Sequence, residues 1–170
     1  EIYTLSLHDA LPIFTYVDVD SINTDELLKN VTMVSQTTYL FDETIEDNLR
    51  IAKPDATQEE IEAACRMASV HEFILSLPDG YKTRVGALGD NLSAGEKQRI
   101  GLAEAFLRGS EWVLLDEPTS NVDSINEGII LKALQEQKRK KSILLVSHRE
   151  STMAIADRIY RVKDGRMAEI

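Results

Sequence analysis

Residues 112–120 read WVLLDEPTS: four apolar residues, then Asp116, Glu117 and a proline. The run is too short for a helix and apolar throughout, which is the pattern of a strand covered on both faces of a sheet. Two further runs of this kind follow, SILLV at 142–146 and RIYRV at 158–162, and the helical pattern VDSINEGIILKALQEQ at 122–137 separates the first two. Strand, helix, strand at this spacing predicts a parallel pair joined by a right-handed crossover, and with it an α/β fold.

Upstream of that unit the period alternates. FTYVDVD at 14–20 reads as the end of a strand, TDELLKN at 24–30 as a short helix, and VTMVS at 31–35 as a second strand that delivers Gln36 to its carboxyl end. A helical stretch follows, carried by TIEDNLRIA, TQEEIEAACRMAS and HEFILSL and punctuated by Pro54 and by Pro78-Asp79-Gly80. Thr57 and Glu60 have the spacing of a capping box. The glycine-rich loop YKTRVGALGDN then leads into LSAGEKQR at 92–99, where a helix begins at Ser93. The chain divides into a sheet core, residues 14–36 and 109–170, and an inserted helical subdomain, residues 37–108.

With 43% hydrophobic and 28% charged residues, the 170-residue chain has the balance of a globular protein. A net charge of -10 argues against a non-specific nucleic-acid binder. The one basic cluster, KRKK at 138–141, reads as the solvated end of a helix. Cys65 shares a helical face with Ile61, Ala64 and Ala68, so it is expected to be a buried apolar side chain rather than a nucleophile. No apolar run approaches the roughly 18 residues that would span a bilayer.

The chemistry lies at strand ends. Asp116 and Glu117 are either an acidic strand-to-loop junction or a pair that meets something positive; a magnesium ion would serve, with Asp116 on the metal and Glu117 polarising a water. Gln36 and His148 follow apolar strands at the same edge, where ligands collect in open α/β sheets. Alone, His148 reads as a satisfied structural histidine; after ILLVS it becomes a contact for a phosphate oxygen. Ser93 and Glu96 read as another capping box, and the same helix start, with its free amides and dipole, can face a phosphate.

LSAGEKQR resembles the signature motif of ATP-binding-cassette (ABC) ATPases. WVLLDEP resembles their Walker B strand, SNVD at 120–123 their D-loop, VSQ at 34–36 their Q-loop, and LLVSH at 144–148 their H-loop. The five motifs stand in the family's order across residues 15–170, and TIEDNLR and LPDGYKTRVG further resemble exporter-type domains. The resemblance implies a P-loop-NTPase-like parallel-sheet core, truncated at its N-terminus, with an inserted helical subdomain.

As function it implies ATP binding and hydrolysis that power export across a membrane, with ATP and magnesium as cofactors. The implied catalytic residues are Glu117 as general base, His148 on the γ-phosphate and Gln36 as the link to the membrane domain; Asp116 and Gln36 attend the metal. Ser93, Ala94, Gly95, Glu96 and Asp123 would meet the nucleotide held by a second such domain in a head-to-tail dimer. The implied partners are that second domain and a transmembrane domain, with no nucleic acid, and the implied place is the cytoplasmic face of a bacterial cell membrane. Two other readings carry a signature motif: a chromosome-maintenance or repair ATPase, and a non-catalytic subunit that lends only its signature helix.

Several positions depart from the family pattern: Ala94 in the signature, Asn121 and Val122 in the D-loop, Arg84 and Ala87 before the signature, and Glu104 where arginine is common. A larger departure is the absence of any G-x-x-x-x-G-K-[ST], the loop that cradles phosphates. Residues 1–13, EIYTLSLHDALPI, resemble the in-frame translation of a sequencing adapter. They are therefore set aside as non-native, and the sheet is expected to lack its first strand and to expose apolar edges. The natural sequence before Phe14 is expected to carry the P-loop, and the chain alone is expected to be inactive.

Overall fold

The computed structural model describes residues 2–6, 22–163 and 166–169. Its elements in chain order are β1 (Ile2–Ser6), α1 (Thr24–Asn30), β2 (Val31–Val34), α2 (Ile45–Ala52), α3 (Gln58–Met67), α4 (His71–Ser76), α5 (Ala94–Arg108), β3 (Trp112–Asp116), α6 (Ser124–Gln137), β4 (Ser142–Ser147), α7 (Glu150–Met153), β5 (Arg158–Lys163) and β6 (Arg166–Glu169). The helices and strands read from hydrophobic period stand where expected. The strand end expected in FTYVDVD lies outside the described residues.

One sheet holds all six strands in the order β2-β3-β4-β1-β5-β6. Strands β2, β3 and β4 are parallel, with Val34 opposite Leu115 and Leu115 opposite Leu145. The α6 crossover between β3 and β4 is the predicted βαβ unit. Beyond it the expectation fails: Ile2–Ser6, set aside at the sequence level, fills the space between β4 and β5 and runs antiparallel to both. Strands β4 and β5 therefore point the same way, with one reversed strand between them. The physical reason is that backbone N–H and C=O groups on two facing strand edges need partners, and an extended segment such as IYTLS supplies them whatever its origin. The inner edge of β4 is paired, not exposed.

The second correction concerns the sheet faces. On one face Val34, Val113, Leu115, Ile143 and Leu145 are buried in one core with Ile100, Phe106, Ile130 and Leu134 of α5 and α6. On the other, Met33 is 60% exposed, and Leu114, Leu144 and Val146 are half-buried around an open cavity of about 410 Å³. Among the described residues the sheet is thus closed on one side and partly open on the other.

The helical subdomain packs α2 and α3 on α5. Capping boxes at Thr57–Glu60 and Ser93–Glu96 start α3 and α5 as predicted. Within it Arg66 lies 3.3 Å from His71 Nε2, and His71 Nδ1 lies 2.8 Å from the Tyr81 hydroxyl. Arginine only donates, so Nε2 accepts and Nδ1 carries the proton toward Tyr81. Burial pushes the neighbouring Cys65 thiol up to about 11, so the cysteine is inert, as its helical face implied. The basic run differs from expectation: Lys138 pairs with Asp157 at 2.7 Å, and Lys141 donates to the Ser110 carbonyl at 2.7 Å, tying the end of α6 to the core instead of only solvating it.

Candidate functional site

Strand β3 ends at Asp116, and Glu117 then turns the chain with φ +47. A left-handed backbone at a residue with a Cβ costs about 1–3 kcal/mol and persists only where its surroundings fix it. Three bonds do so: the Glu117 amide donates to the Val146 carbonyl at 2.9 Å, and the Glu117 carbonyl accepts from the Ser120 amide at 3.1 Å and the Ser120 hydroxyl at 3.0 Å. The turn aims the carboxylate across the end of β4. There Glu117 Oε1 lies 2.6 Å from Nδ1 of His148, while Oε2 is buried without a hydrogen-bond partner. Because a carboxylate only accepts, Nδ1 of His148 carries the proton in this contact, and in the neutral form of the ring Nε2 is the acceptor.

Asp116 is half-buried, lines the same open cavity as Glu117, and carries no side-chain hydrogen bond among the described residues. Gln36 is exposed and follows Val34 by two residues; since Val34 is paired with Leu115, Gln36 emerges beside the Asp116–Glu117 turn. Asp116, Glu117, Gln36 and His148 are thus brought to one sheet edge, as predicted.

The remaining predicted residues form a second group. Ser93 Oγ accepts from the Glu96 amide at 3.3 Å, and the Glu96 carboxylate accepts from the Ser93 amide at 2.8 Å, so Glu96 spends its charge on the cap. Ser93 and Ala94 are exposed, whereas Gly95 is buried. A Cβ on Gly95 would stand 2.4 Å from Asn126 Cγ, so the starts of α5 and α6 meet there without room for a side chain. Asp123 caps α6 through the amides of Ile125 and Asn126, and its carboxylate takes the Asn126 side-chain amide at 2.6 Å. That bond, then the backbone amides, hold Asp123 below the usual carboxylate range. A cavity of about 560 Å³, lined by Gln36, Ala94, Lys97, Gln98, Asn121 and Val122, separates this group from the sheet edge.

Three features escaped sequence reasoning. Gln98 is 4% exposed and bridges α5 to the chain around Gln36, accepting from Thr38 at 3.0 Å and donating to the Ser35 carbonyl at 3.2 Å. Tyr39 and Phe41 are exposed aromatics in edge-to-face contact at 5.1 Å, just past Gln36. Arg149 reaches both the Thr119 carbonyl and Glu127. The first and third are pairings across 22 to 63 positions, for which no spacing rule exists; the second was legible as two aromatics in a polar loop.

The donor set fits a magnesium ion of the kind held mainly by substrate phosphates. Among the described residues no cluster of three or more His, Cys, Asp or Glu could cage a metal, and one free carboxylate, Asp116, stands at the strand end. Magnesium is commonly held by one or two carboxylates with substrate phosphates and waters.

Three parallel strands with polar residues at their carboxyl ends, and a second polar set at a capped helix start, give the chain a P-loop-NTPase-like α/β architecture. The family described as ABC transporter matches residues 13–120, and the chain belongs to that family as its ATP-binding domain. The chain is 57% identical over 148 residues to a Haemophilus influenzae protein named "Probable ABC transporter ATP-binding/permease protein", covering 87% of this chain and 27% of that one. It is 45% identical to multidrug resistance protein pgp-1 of Caenorhabditis elegans, covering 91% of this chain and 12% of that one. Among solved structures, a bacterial Atm1-family ABC exporter with ATP bound matches with a TM-score of 0.81 and 34% identity, over 89% of this chain and 27% of that one. The chain thus spans about a quarter or less of the length of these relatives.

Proposed function

We propose that this chain is the greater part of the ATP-hydrolysing domain of an exporter in which the domain is joined to a membrane-spanning one. The observation that carries the reading is the Glu117–His148 pair at 2.6 Å beside the free Asp116. In this reading the unpartnered Oε2 of Glu117 takes the proton of the attacking water, while a doubly protonated His148 keeps Oε1 in place through Nδ1–H and donates Nε2–H to the γ-phosphate. Asp116 would hold magnesium, with Gln36 beside it; the ion's chemistry is to draw negative charge from the transferring phosphate.

Ser93, Ala94, Gly95 and the α5 amides would face the nucleotide of a second such domain, and Asp123 would stand at the same dimer interface. Glu96 contributes there through the cap instead of through contact. The permease portions named in the relatives favour a membrane partner and a transporter over a chromosome-maintenance ATPase. Gln36 and the exposed Tyr39–Phe41 pair would take the membrane domain at the cytoplasmic face. No helix among the described residues is long and apolar enough to cross a membrane. Glu117 favours a catalytic role over a subunit that only lends its signature helix.

The decisive measurement is ATP turnover by the intact ATP-binding/permease protein carrying Glu117→Gln. ATP binding should persist and kcat should fall by about a hundredfold or more, since the amide keeps the shape and accepts no proton. A near-normal kcat would move the general base elsewhere.

A further inference from the structure

We propose that Arg149 is a positioning residue for the Glu117–His148 pair, acting as the brace that holds the Glu117 turn against the end of β4. The inference rests on the reading of that pair as catalytic. Arg149 follows His148 directly, and its guanidinium spans two other elements. One end donates to the Thr119 carbonyl at 2.5 Å, within the turn that begins at Glu117; the other meets the Glu127 carboxylate of α6 at 2.7 Å. Its own amide donates to the Ser147 hydroxyl at 3.1 Å, which sets the side chain's departure from the strand end.

Glu127 is itself fixed. It is 7% exposed and accepts a bond from Ser151 of α7. The brace is therefore anchored on a buried carboxylate in a helix, and a planar fork lets one side chain serve two acceptors at a set separation. What it holds is the turn that follows the strained residue: Glu117, with φ +47, is tied by its own bonds to Val146 and Ser120, and the Arg149–Thr119 bond fixes where the rest of that turn lies against the end of β4. Thr119 lies two residues beyond Glu117, and Arg149 one residue beyond His148. The two members of the pair thus share one clamp, whose hydrogen bonds and ion pair go to Ser147, Thr119 and Glu127.

The test uses the tautomer of His148 in the whole 170-residue chain, read from imidazole nitrogen-15 shifts at about pH 9, above the ordinary imidazole range. The chain has three histidines, so His148→Gln assigns the signal. Bonded to Glu117, neutral His148 carries its proton on Nδ1; released, it exchanges between both tautomers. Arg149→Lys keeps the charge and loses the fork, and Glu127→Gln removes the anchor's charge at constant shape. Both should shift His148 from the Nδ1–H form toward the mixture, with a urea midpoint showing the chain still folded. In the intact protein Arg149→Lys should lower kcat by about 10- to 100-fold with KM for ATP unchanged, the size expected for a misplaced catalytic group.

A wild-type His148 without the Nδ1–H form would overturn the pairing itself, and with it the catalytic reading. A wild-type Nδ1–H form that survives in both folded variants would overturn the brace alone. Should Arg149→Lys fail to fold, Glu127→Gln decides by the same signal.

Discussion

Glu104 lies in the middle of α5, between the buried Ala103 and Ala105, close enough to Cys65 of α3 for their charges to interact. Among the described residues its carboxyl has no hydrogen bond or ion pair, and burial alone pushes it from 4.5 up to about 8. A raised acid binds its proton more tightly in the folded chain. The folded state is therefore unpenalised below pH 4.5, loses stability as pH rises, and levels off above about pH 8. At about 1.36 kcal/mol per pH unit the loss at pH 7 is about 3 kcal/mol and its plateau about 5 kcal/mol; water entry beside a half-buried group lowers both. Glu104→Gln removes the ionisation at nearly constant volume. In urea denaturation of the 170-residue chain, the variant should match wild type at pH 4.5 and exceed it by about 2–5 kcal/mol at pH 8.5. A difference that is the same at both pH values would refute the reasoning, because it would show that the carboxyl is solvated or paired.

Two glycines test packing in opposite directions. Gly95→Ala should destabilise the chain by about 1–3 kcal/mol, because its Cβ would overlap Asn126. Gly128→Ala, exposed on α6 with nothing within 4 Å, should stabilise it by about 0.5–1 kcal/mol, and chemical denaturation reads both. Ser93→Arg should leave nucleotide binding to the open domain intact while blocking ATP-driven dimerisation; a dimer that survives on size exclusion in the Glu117→Gln background would reduce Ser93 to its helix cap. The 170-residue chain alone should hydrolyse ATP no faster than buffer, since no phosphate-cradling G-x-x-x-x-G-K-[ST] loop occurs in it; robust turnover abolished by Glu117→Ala would contradict this.

Sequence period and motif order were enough to place Asp116, Glu117, Gln36 and His148 at one sheet edge, because a strand's direction fixes which end its final residue occupies. They were also enough for the caps at Thr57 and Ser93, since a cap spans only three residues. Local signals failed where the decisive contact was remote. The bond from His148 to Glu117 crosses 31 positions and depends on a φ that no residue preference at a glutamate foretells. Gln98, which reads as one more polar helix residue, is buried only because α5 lies against the chain around Gln36.

What the sequence by itself determined is the set of elements, their order, and the chemistry carried at each strand end. These follow from side-chain period and from residue types acting within a few positions of one another. The tertiary structure decided which oxygen of Glu117 is held and which is free, how Arg149 joins three elements, and how Ile2–Ser6 enters the sheet. Backbone pairing recognises extension and edge geometry more than side-chain identity, so a segment set aside for its likeness to a translated adapter is taken up between two strands whose edges lacked partners.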